Sequence, residues 1–125
     1  MPATILIVDD SVTVRALVRG TLQADGHQVL EASDGHAALE MLEKTPLDLV
    51  ITDVNMPELD GLALLRAIRS DPRHRYLPVL VLTTEGSDEM KARGRAAGAT
   101  GWLVKPFHPE RLRAVVRTVM RRPAA

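Results

Sequence analysis

The chain has 125 residues, of which 46% are hydrophobic and 26% are charged, an ordinary balance for a soluble globular protein. This length suits one domain rather than two, and a formal net charge of zero argues against bulk attraction to nucleic acid or membrane surfaces. Cysteine is absent, which excludes a disulfide framework and thiol chemistry.

The amino terminus runs directly into an apolar segment and lacks the pattern of a signal peptide. No apolar stretch approaches the roughly 20 residues that a membrane-spanning helix needs. We therefore expect a cytoplasmic protein that binds neither nucleic acid nor membranes.

Strands and helices are predicted to alternate along the chain. Short apolar runs rich in Val and Ile are typical of buried parallel strands, and apolar residues at helical spacing separate them. In chain order we predict a strand over 4–8, a helix over 11–25, a strand over 27–32, a helix over 34–44, a strand over 47–52, a helix over 61–70, a polar loop over 71–77, a strand over 79–82, a helix from 87 to about 97, a strand over 102–104 and a helix from 109 to about 122. This alternation implies right-handed crossovers and a doubly wound α/β sheet.

Several helix ends are marked by residues that are typical of such positions. Gly26 and Gly98 each predict the end of the preceding helix. Asp60 and Ser87 are predicted N-caps, and Pro109 suits the first turn of the last helix.

Four of the apolar strands end in side chains that can handle phosphate or a metal ion. These side chains are Asp9 and Asp10, Asp53, Thr83 and Lys105. In an open parallel sheet the ligand crevice lies at the carboxyl ends of the strands. We therefore expect three carboxylates, a hydroxyl group and an ammonium group to converge on one spot.

Asp53 is the best candidate nucleophile, since a carboxylate can attack a phosphoryl donor and form an aspartyl phosphate. Three packed carboxylates would raise the pKa of at least one of them unless a cation is present. Mg²⁺ fits, because it prefers oxygen ligands and bridges to phosphate, and Asp53 would bind it together with Asp9 or Asp10. Lys105 would pair with Asp53 before transfer and with a phosphoryl oxygen afterwards, while Thr83 would donate to another oxygen.

Each of these residues alone has a simpler structural explanation. Asp9 and Asp10 could form a helix cap or a solvated turn, Asp53 could be a turn former, Thr83 could be structural and Lys105 could lie on the surface. The combination in this strand order is hard to obtain by chance, so we interpret it as a functional site.

The chain resembles bacterial response-regulator receiver domains over essentially its full length. The segments that carry the resemblance are Ile7-Val8-Asp9-Asp10-Ser11, Asp53-Val54-Asn55-Met56-Pro57, Asp60-Gly61, Thr83-Thr84-Glu85 and Lys105-Pro106-Phe107. The resemblance implies a flavodoxin-like sheet of five parallel strands in the order 2-1-3-4-5 with five helices. It also implies a single receiver domain over 1–125, with a core of about 4–122 and no effector domain. The position of residues 123–125 at the chain end predicts a frayed tail.

The resemblance further implies a role for each matching residue. Asp53 would be the phospho-acceptor, Asp9 and Asp10 would arrange Mg²⁺ with the backbone carbonyl of Asn55, and Thr83 and Lys105 would engage the phosphoryl group. The resemblance also implies that Trp102 occupies the aromatic switch position coupled to Thr83 and that the Lys105–Pro106 bond is cis. Asn55 and Glu85 are expected to flank the site where an attacking water would pass. Such polar residues favour a short-lived phosphoryl group, so we expect these two to tune dephosphorylation.

Within this family, residues 83–87 and 96–102 are similar to chemotaxis regulators of the CheY type. We expect a monomer that signals by binding another protein. The expected partners are a chemotaxis-type sensor histidine kinase, the flagellar motor switch and a possible phosphatase. The last two predicted helices are rich in basic side chains, at Lys91, Arg93, Arg95, Arg111, Arg113, Arg117, Arg121 and Arg122. These side chains either form a solvated surface or meet an acidic partner segment.

Other functions are compatible with parts of the pattern. A single-domain phosphorelay or phosphate-sink receiver would share the chemistry and differ only in its partner. Asp53-Val54-Asn55 faintly resembles the motif of haloacid-dehalogenase-type phosphatases, but those place the nucleophile after the first strand and carry a cap insertion. A flavodoxin-like cofactor carrier would need a phosphate-binding loop where Asp9 and Asp10 would repel the flavin phosphate.

We expect a phospho-accepting signalling protein that supports its own phosphorylation and dephosphorylation, rather than an enzyme.

Overall fold

A computed structural model describes residues 2–121 of the protein. Strands and helices alternate throughout this part of the chain. The elements are β1 (Thr4–Val8), α1 (Val12–Ala24), β2 (Gln28–Ala32), α2 (Gly35–Lys44), β3 (Leu49–Thr52), α3 (Gly61–Ser70), a 3₁₀ turn (Pro72–His74), β4 (Val79–Thr83), α4 (Asp88–Ala97), β5 (Gly101–Val104) and α5 (Pro109–Arg121).

The five strands form one parallel sheet in the order β2-β1-β3-β4-β5, which confirms the predicted topology. Val8 at the end of β1 pairs with Thr52 at the end of β3, and Thr83 at the end of β4 pairs with Val104 at the end of β5. The carboxyl ends of all the strands therefore lie along one edge of the sheet.

Helices cover both faces of this sheet, which explains why the strand sequences are almost continuously apolar. On one face Ile5 and Ile7 pack with Leu22 of α1 and Leu112 of α5. On the other face Leu6 lies in a second buried cluster formed mainly with α2 and α3. Burying a side chain of this size contributes roughly 1.5–3 kcal/mol, so the two layers hold the strand ends in fixed positions.

The predicted helix boundaries agree closely with the structure. The hydroxyl or carboxylate oxygens of Ser11, Asp34, Asp60 and Ser87 each accept a hydrogen bond from the backbone amide three residues later. The left-handed φ of 88° at Gly26 and of 108° at Gly98 suits glycine after a helix end.

Two details differ from the expectation. The segment predicted as a polar loop over 71–77 contains the short 3₁₀ turn, because Asp71 accepts a hydrogen bond of 2.9 Å from the amide of Arg73. Strand β3 begins at Leu49 rather than at residue 47, and the carboxylate of Asp48 instead accepts from the amide of Thr4 at 2.8 Å.

The Lys105–Pro106 bond is cis, as expected. Arg122 and the tail over 123–125 lie outside the described residues.

Within residues 2–121, no helix is both long enough and apolar enough to cross a membrane.

Candidate functional site

The carboxyl edge of the sheet brings Asp9, Asp53 and Lys105 together. The ammonium nitrogen of Lys105 lies 2.9 Å from Oδ2 of Asp9 and 2.9 Å from Oδ2 of Asp53. The exposed fractions of these side chains are 1% for Asp9, 9% for Asp53 and 14% for Lys105. One nearly buried cation therefore bridges two nearly buried carboxylates.

Backbone hydrogen bonds extend the sheet into this site. The amide of Asp53 donates to the carbonyl of Val8 at 3.1 Å, and the amide of Lys105 donates to the carbonyl of Thr83 at 2.8 Å. These residues thus continue the ladder of the parallel sheet beyond the ends of β3 and β5. Their side chains start from rigid backbone positions rather than from free loops.

Each carboxylate is oriented by a backbone amide as well as by Lys105. Oδ1 of Asp9 accepts from the amide of Ser11 at 2.9 Å, and Oδ1 of Asp53 accepts from the amide of Asn55 at 3.1 Å. Charge-assisted hydrogen bonds of this kind are among the stronger ones in proteins. Both oxygens of each carboxylate therefore have a donor.

The charges of the site depend on this pairing. Burial alone would raise the pKa of Asp53, but the hydrogen bonds from Lys105 and from the Asn55 amide, helped by the nearby Thr83 hydroxyl, hold that pKa below its ordinary value. Burial alone would lower the pKa of Lys105, but its bonds to Asp53 and Asp9 raise it above its ordinary value. Asp53 is therefore ionised at neutral pH, as a nucleophile must be.

The loop after Asp53 is held by a close approach of α3. A side-chain carbon on Gly61 would lie 2.1 Å from the carbonyl oxygen of Asp53, so only glycine fits there. The amide of Gly61 donates to the carbonyl of Val54 at 3.1 Å. The Asp60-Gly61 pair of the sequence thus combines a helix cap with a backbone contact at the site.

Thr83 is fully buried at the end of β4, between the strands that supply Asp53 and Lys105. Its hydroxyl oxygen accepts a hydrogen bond from the amide of Glu85 at 3.3 Å. The side chain of Glu85 is half-buried, and Asn55 is exposed beside Asp53. Asn55 thus contacts the carboxylate of Asp53, and Glu85 contacts Thr83. The functions predicted for these three residues stay predictions.

The side chain of Asp10, the third carboxylate expected in the cluster, is exposed, whereas Asp9 and Asp53 are buried. Residues 2–121 contain no group of three His, Cys, Asp or Glu side chains arranged to hold a metal ion. The structure thus brings Asp9, Asp53 and Lys105 together, and the role predicted for Asp10 stays a prediction.

Trp102 links β5 to the loop that follows Thr83. Its indole Nε1–H donates to the carbonyl of Glu85 at 2.8 Å, and its ring packs beside Val81, Val54 and Leu62. A side-chain carbon on Gly94 of α4 would lie 2.4 Å from Cζ3 of the ring. The absence of a side chain at Gly94 therefore makes the space that the indole occupies.

Two features of the site were missed at the sequence level. Gly94 was not identified as the partner of Trp102, although glycine inside a helix is unfavourable enough to need a packing reason. Arg15 was also missed: its guanidinium donates to the backbone carbonyl of Asp9 and to Oε1 of Glu31, the latter at 3.0 Å. Arginines four residues apart on α1, with a glutamate inside the neighbouring strand β2, were the available signal, because Arg19 also pairs with Glu31.

The comparisons with known proteins agree with this geometry. Residues 5–117 match the response regulator receiver domain. The chain is 40% identical to the chemotaxis protein CheY of Pseudomonas aeruginosa over 119 residues, which cover 94% of this chain and 96% of that protein. It is 45% identical to the chemotaxis protein CheY-3 of Vibrio cholerae over 104 residues, which cover 82% of this chain and 80% of that protein.

The fold matches solved structures equally well. The structure of the chemotaxis response regulator CheY4 of Vibrio cholerae superposes with a TM-score of 0.91 at 45% identity, covering 95% of this chain and 99% of that one. Both the sequence and the fold are therefore similar to those of single-domain chemotaxis regulators.

Replacing Lys105 by Met should leave two buried carboxylates without their shared cation. In metal-free buffer at pH 7 we expect the free energy of unfolding to fall by about 3–5 kcal/mol, the usual cost of breaking a buried ion pair from one side. The deficit should shrink as the pH falls towards about 5, since the unpaired carboxylates acquire a raised pKa and take up a proton in the folded state.

The wild type should behave in the opposite way. Its lowered Asp53 pKa contributes stability above the ordinary value of 3.8, and this contribution is lost as the pH falls through the folded-state pKa. Urea unfolding followed by circular dichroism at several pH values measures both slopes. Lys44→Met, at an exposed lysine of α2, is the control and should change stability little at any pH. An equal deficit for Lys105→Met at pH 5 and pH 8 would contradict the prediction.

Replacing Gly94 by Ala should force the indole of Trp102 out of its position, because the new carbon would lie 2.4 Å from Cζ3. Trp102 is the only tryptophan, so we expect its emission to shift to longer wavelength and its quenching by iodide to increase. Gly20→Ala is the matched control, since nothing lies within 4 Å of a side-chain carbon there. Unchanged emission in Gly94→Ala would show that the ring does not rely on this space.

Proposed function

Because the chain belongs to the response regulator receiver domain family, we propose that it is a phosphorylation-activated chemotaxis regulator with Asp53 as its phospho-acceptor. The observation that supports this most is the state of the Asp53 carboxylate. It is nearly buried, held 2.9 Å from Lys105 and oriented by the amide of Asn55 at 3.1 Å. An ionised and oriented carboxylate at the carboxyl edge of the parallel sheet is positioned to attack a phosphoryl donor.

The proposed donor is a phosphohistidine of a sensor histidine kinase. An oxygen of Asp53 forms a bond to phosphorus while the bond between phosphorus and the imidazole nitrogen breaks, and the imidazole keeps the electron pair. Lys105 then exchanges its contact with Asp53 for a contact with a phosphoryl oxygen. The hydroxyl of Thr83 is the proposed donor to a second phosphoryl oxygen.

A Mg²⁺ requirement is part of this proposal, because the donor set suits that ion. Asp9 and Asp53 present hard oxygen ligands to the same crevice, and Lys105 alone offsets only one of their two charges. Asp9, Asp53, the backbone carbonyl of Asn55 and the nearby exposed Asp10 would hold the ion. When bound, Mg²⁺ would supply positive charge against the carboxylates and the transferred oxygens.

The proposed signal passes from Thr83 to Trp102. The amide of Glu85 donates to the hydroxyl of Thr83, and the carbonyl of Glu85 accepts from the indole of Trp102. A phosphoryl group that draws the Thr83 hydroxyl towards Asp53 would break the first of these bonds. The populations of the Trp102 rotamers would then change, to an extent set by how much more favourably the phosphoryl group interacts with one rotameric state of the protein than with the other.

We propose the flagellar motor switch as the receiver of this signal. The relatives named above are chemotaxis proteins, and Arg93, Arg95, Arg111, Arg117 and Arg121 lie exposed on α4 and α5. Arg113, which belongs to the same predicted basic set, instead pairs with Asp25 at 3.2 Å and with Glu110. The exposed arginines suit an acidic segment of a partner protein.

The enzyme alternatives have less support. The candidate nucleophile follows β3 rather than the first strand, and residues 2–121 contain no inserted cap, unlike the phosphatases considered above. Asp9 pairs with Lys105 where a flavin carrier would need a phosphate-binding loop. We therefore propose a signalling protein that supports its own phosphorylation and dephosphorylation.

Acetyl phosphate provides the direct test. With Mg²⁺ the wild type should gain the mass of one phosphoryl group, and Asp53→Asn should gain none. Asp88→Asn, at an exposed aspartate of α4, should be labelled like the wild type. Chelating the metal should slow labelling about 100-fold or more, the loss expected when one charge-stabilising group is removed. Full labelling of Asp53→Asn would refute the assignment.

The same samples distinguish the proposed partners. Wild type activated with beryllofluoride and Mg²⁺ should retain a motor-switch fragment in a pull-down, whereas Asp53→Asn should not. Retention of a histidine phosphotransfer domain alone would instead support the relay or phosphate-sink role.

A further inference from the structure

A basic crevice lies between α3 and α4, at the opposite end of these helices from Asp53. Its volume is about 430 Å³. The residues that line it are Arg66, Arg69, Ser70, Arg93, Ala96 and Ala97. These residues belong to the middle and the last turns of the two helices, whereas the phospho-acceptor lies before their first turns. The crevice is therefore separate from the site described above.

The three arginines of the crevice have no acidic partners among the residues that the structure describes. No ion pair within 4.0 Å joins any of them to a carboxylate of residues 2–121, and no acidic residue lines the crevice. Other arginines of the chain do pair with carboxylates, as Arg15, Arg19, Arg73 and Arg113 do. The chain has as many acidic as basic residues, 16 of each. The three unpaired arginines of the crevice therefore do not result from an overall excess of positive charge.

Arg69 is fixed at the floor of the crevice by neutral acceptors. Its Nε donates to the carbonyl of Gly98 at 3.0 Å, its Nη1 to the carbonyl of His74 at 3.0 Å and its Nη2 to the hydroxyl of Thr100 at 3.4 Å. Burial without a carboxylate lowers the pKa of this guanidinium from its ordinary value. A structural role at the end of α4 accounts for these contacts, but it leaves the positive charge unneutralised.

Arg66 and Arg93 have no such structural role. Both side chains are exposed and face the crevice from the two different helices. Within residues 2–121, the only hydrogen bond of either side chain is the one from Arg93 Nη1 to the sulfur of Met90, at 3.5 Å. Their guanidinium groups are therefore available to a ligand held between the helices.

We propose that this crevice binds a small organic phosphate that carries at least two negative charges. Guanidinium groups match phosphate oxygens with paired, charge-assisted hydrogen bonds, and the volume lies in the range of small-molecule sites. Ala96 and Ala97 supply a short apolar wall for the organic part. None of the described residues that line the crevice is aromatic, so the phosphate groups supply most of the recognition.

Such a ligand would bridge α3 and α4, and Trp102 offers a reporter of that event. Gly94, next to Arg93 in α4, is the residue against which the indole ring packs. A ligand that draws Arg93 towards Arg66 would shift α4 relative to this ring. Binding should therefore change the emission of the single tryptophan as well as release heat.

The test uses Asp53→Asn in metal-free buffer, so that the phospho-acceptor site takes no part. Inorganic pyrophosphate and adenosine diphosphate are the probes, measured by calorimetry and by Trp102 emission. Both probes should bind Asp53→Asn and the wild type alike. Adding Arg66→Gln and Arg93→Gln should weaken binding at least about 30-fold, equivalent to the loss of one or two charge-assisted contacts. The matched control, Arg117→Gln with Arg121→Gln on α5, removes the same charge from exposed positions and should weaken binding less than about threefold.

Three outcomes would overturn the proposal. One is the absence of heat and of any change in emission at about 1 mM probe, which is the weak limit for a specific site. A second is equal weakening by the control pair, which would indicate attraction to overall charge. A third is equal competition by polyglutamate at matched ionic strength, which would indicate a surface for acidic proteins. Because each of these results is obtained in the Asp53→Asn background without metal, none of them bears on the phospho-acceptor assignment.

Discussion

The bridge from Lys105 to Asp9 and Asp53 is the interaction on which the site depends. The three side chains come from the ends of β5, β1 and β3, and β4 lies between β3 and β5. Since neighbouring strands are about 4.8 Å apart, Lys105 must extend across the end of β4 to reach both carboxylates. It can do so because its stem is long and flexible and because β4 ends in the small side chain of Thr83. The strand order and the size of Thr83 are thus conditions for the charge balance of the site.

The same bridge explains why the phospho-acceptor can be nearly buried and still ionised. Burial favours the neutral form of a carboxyl group, and a buried charge without a partner is strongly destabilising. Here one cation serves two carboxylates, so the pocket keeps a negative charge that a divalent cation would offset. In the account proposed above, this residual charge is what couples the nucleophile to Mg²⁺.

Much of this architecture could be predicted from the sequence because it depends on local signals. The apolar runs predicted the strands, the caps at Asp60 and Ser87 predicted helix starts, and the residues after the strands predicted the convergence of Asp9, Asp53 and Lys105. Asp10 is exposed in the structure, and its predicted role stays a prediction. Gly94 and Arg15 were missed, because their importance comes from contacts with Trp102 and Glu31 that are distant in sequence.

Helix α4 contacts both Trp102 and the basic crevice. One face of it accommodates the indole of Trp102 at Gly94, and its last turns line the basic crevice with Arg93. If both proposals hold, a ligand in the crevice and a phosphoryl group on Asp53 would act on the same helix. By linkage, each would then alter the affinity for the other by the same factor.

The central claim, that Lys105 keeps the buried Asp53 ionised, can be measured directly by carbon-detected NMR titration of the Asp53 side-chain carboxyl group in metal-free protein. We expect the titration midpoint of the Asp53 carboxyl carbon to lie below the ordinary pKa of 3.8, because its folded-state pKa is lowered. A titration midpoint above 3.8 would mean that burial outweighs the bridge and would contradict the account.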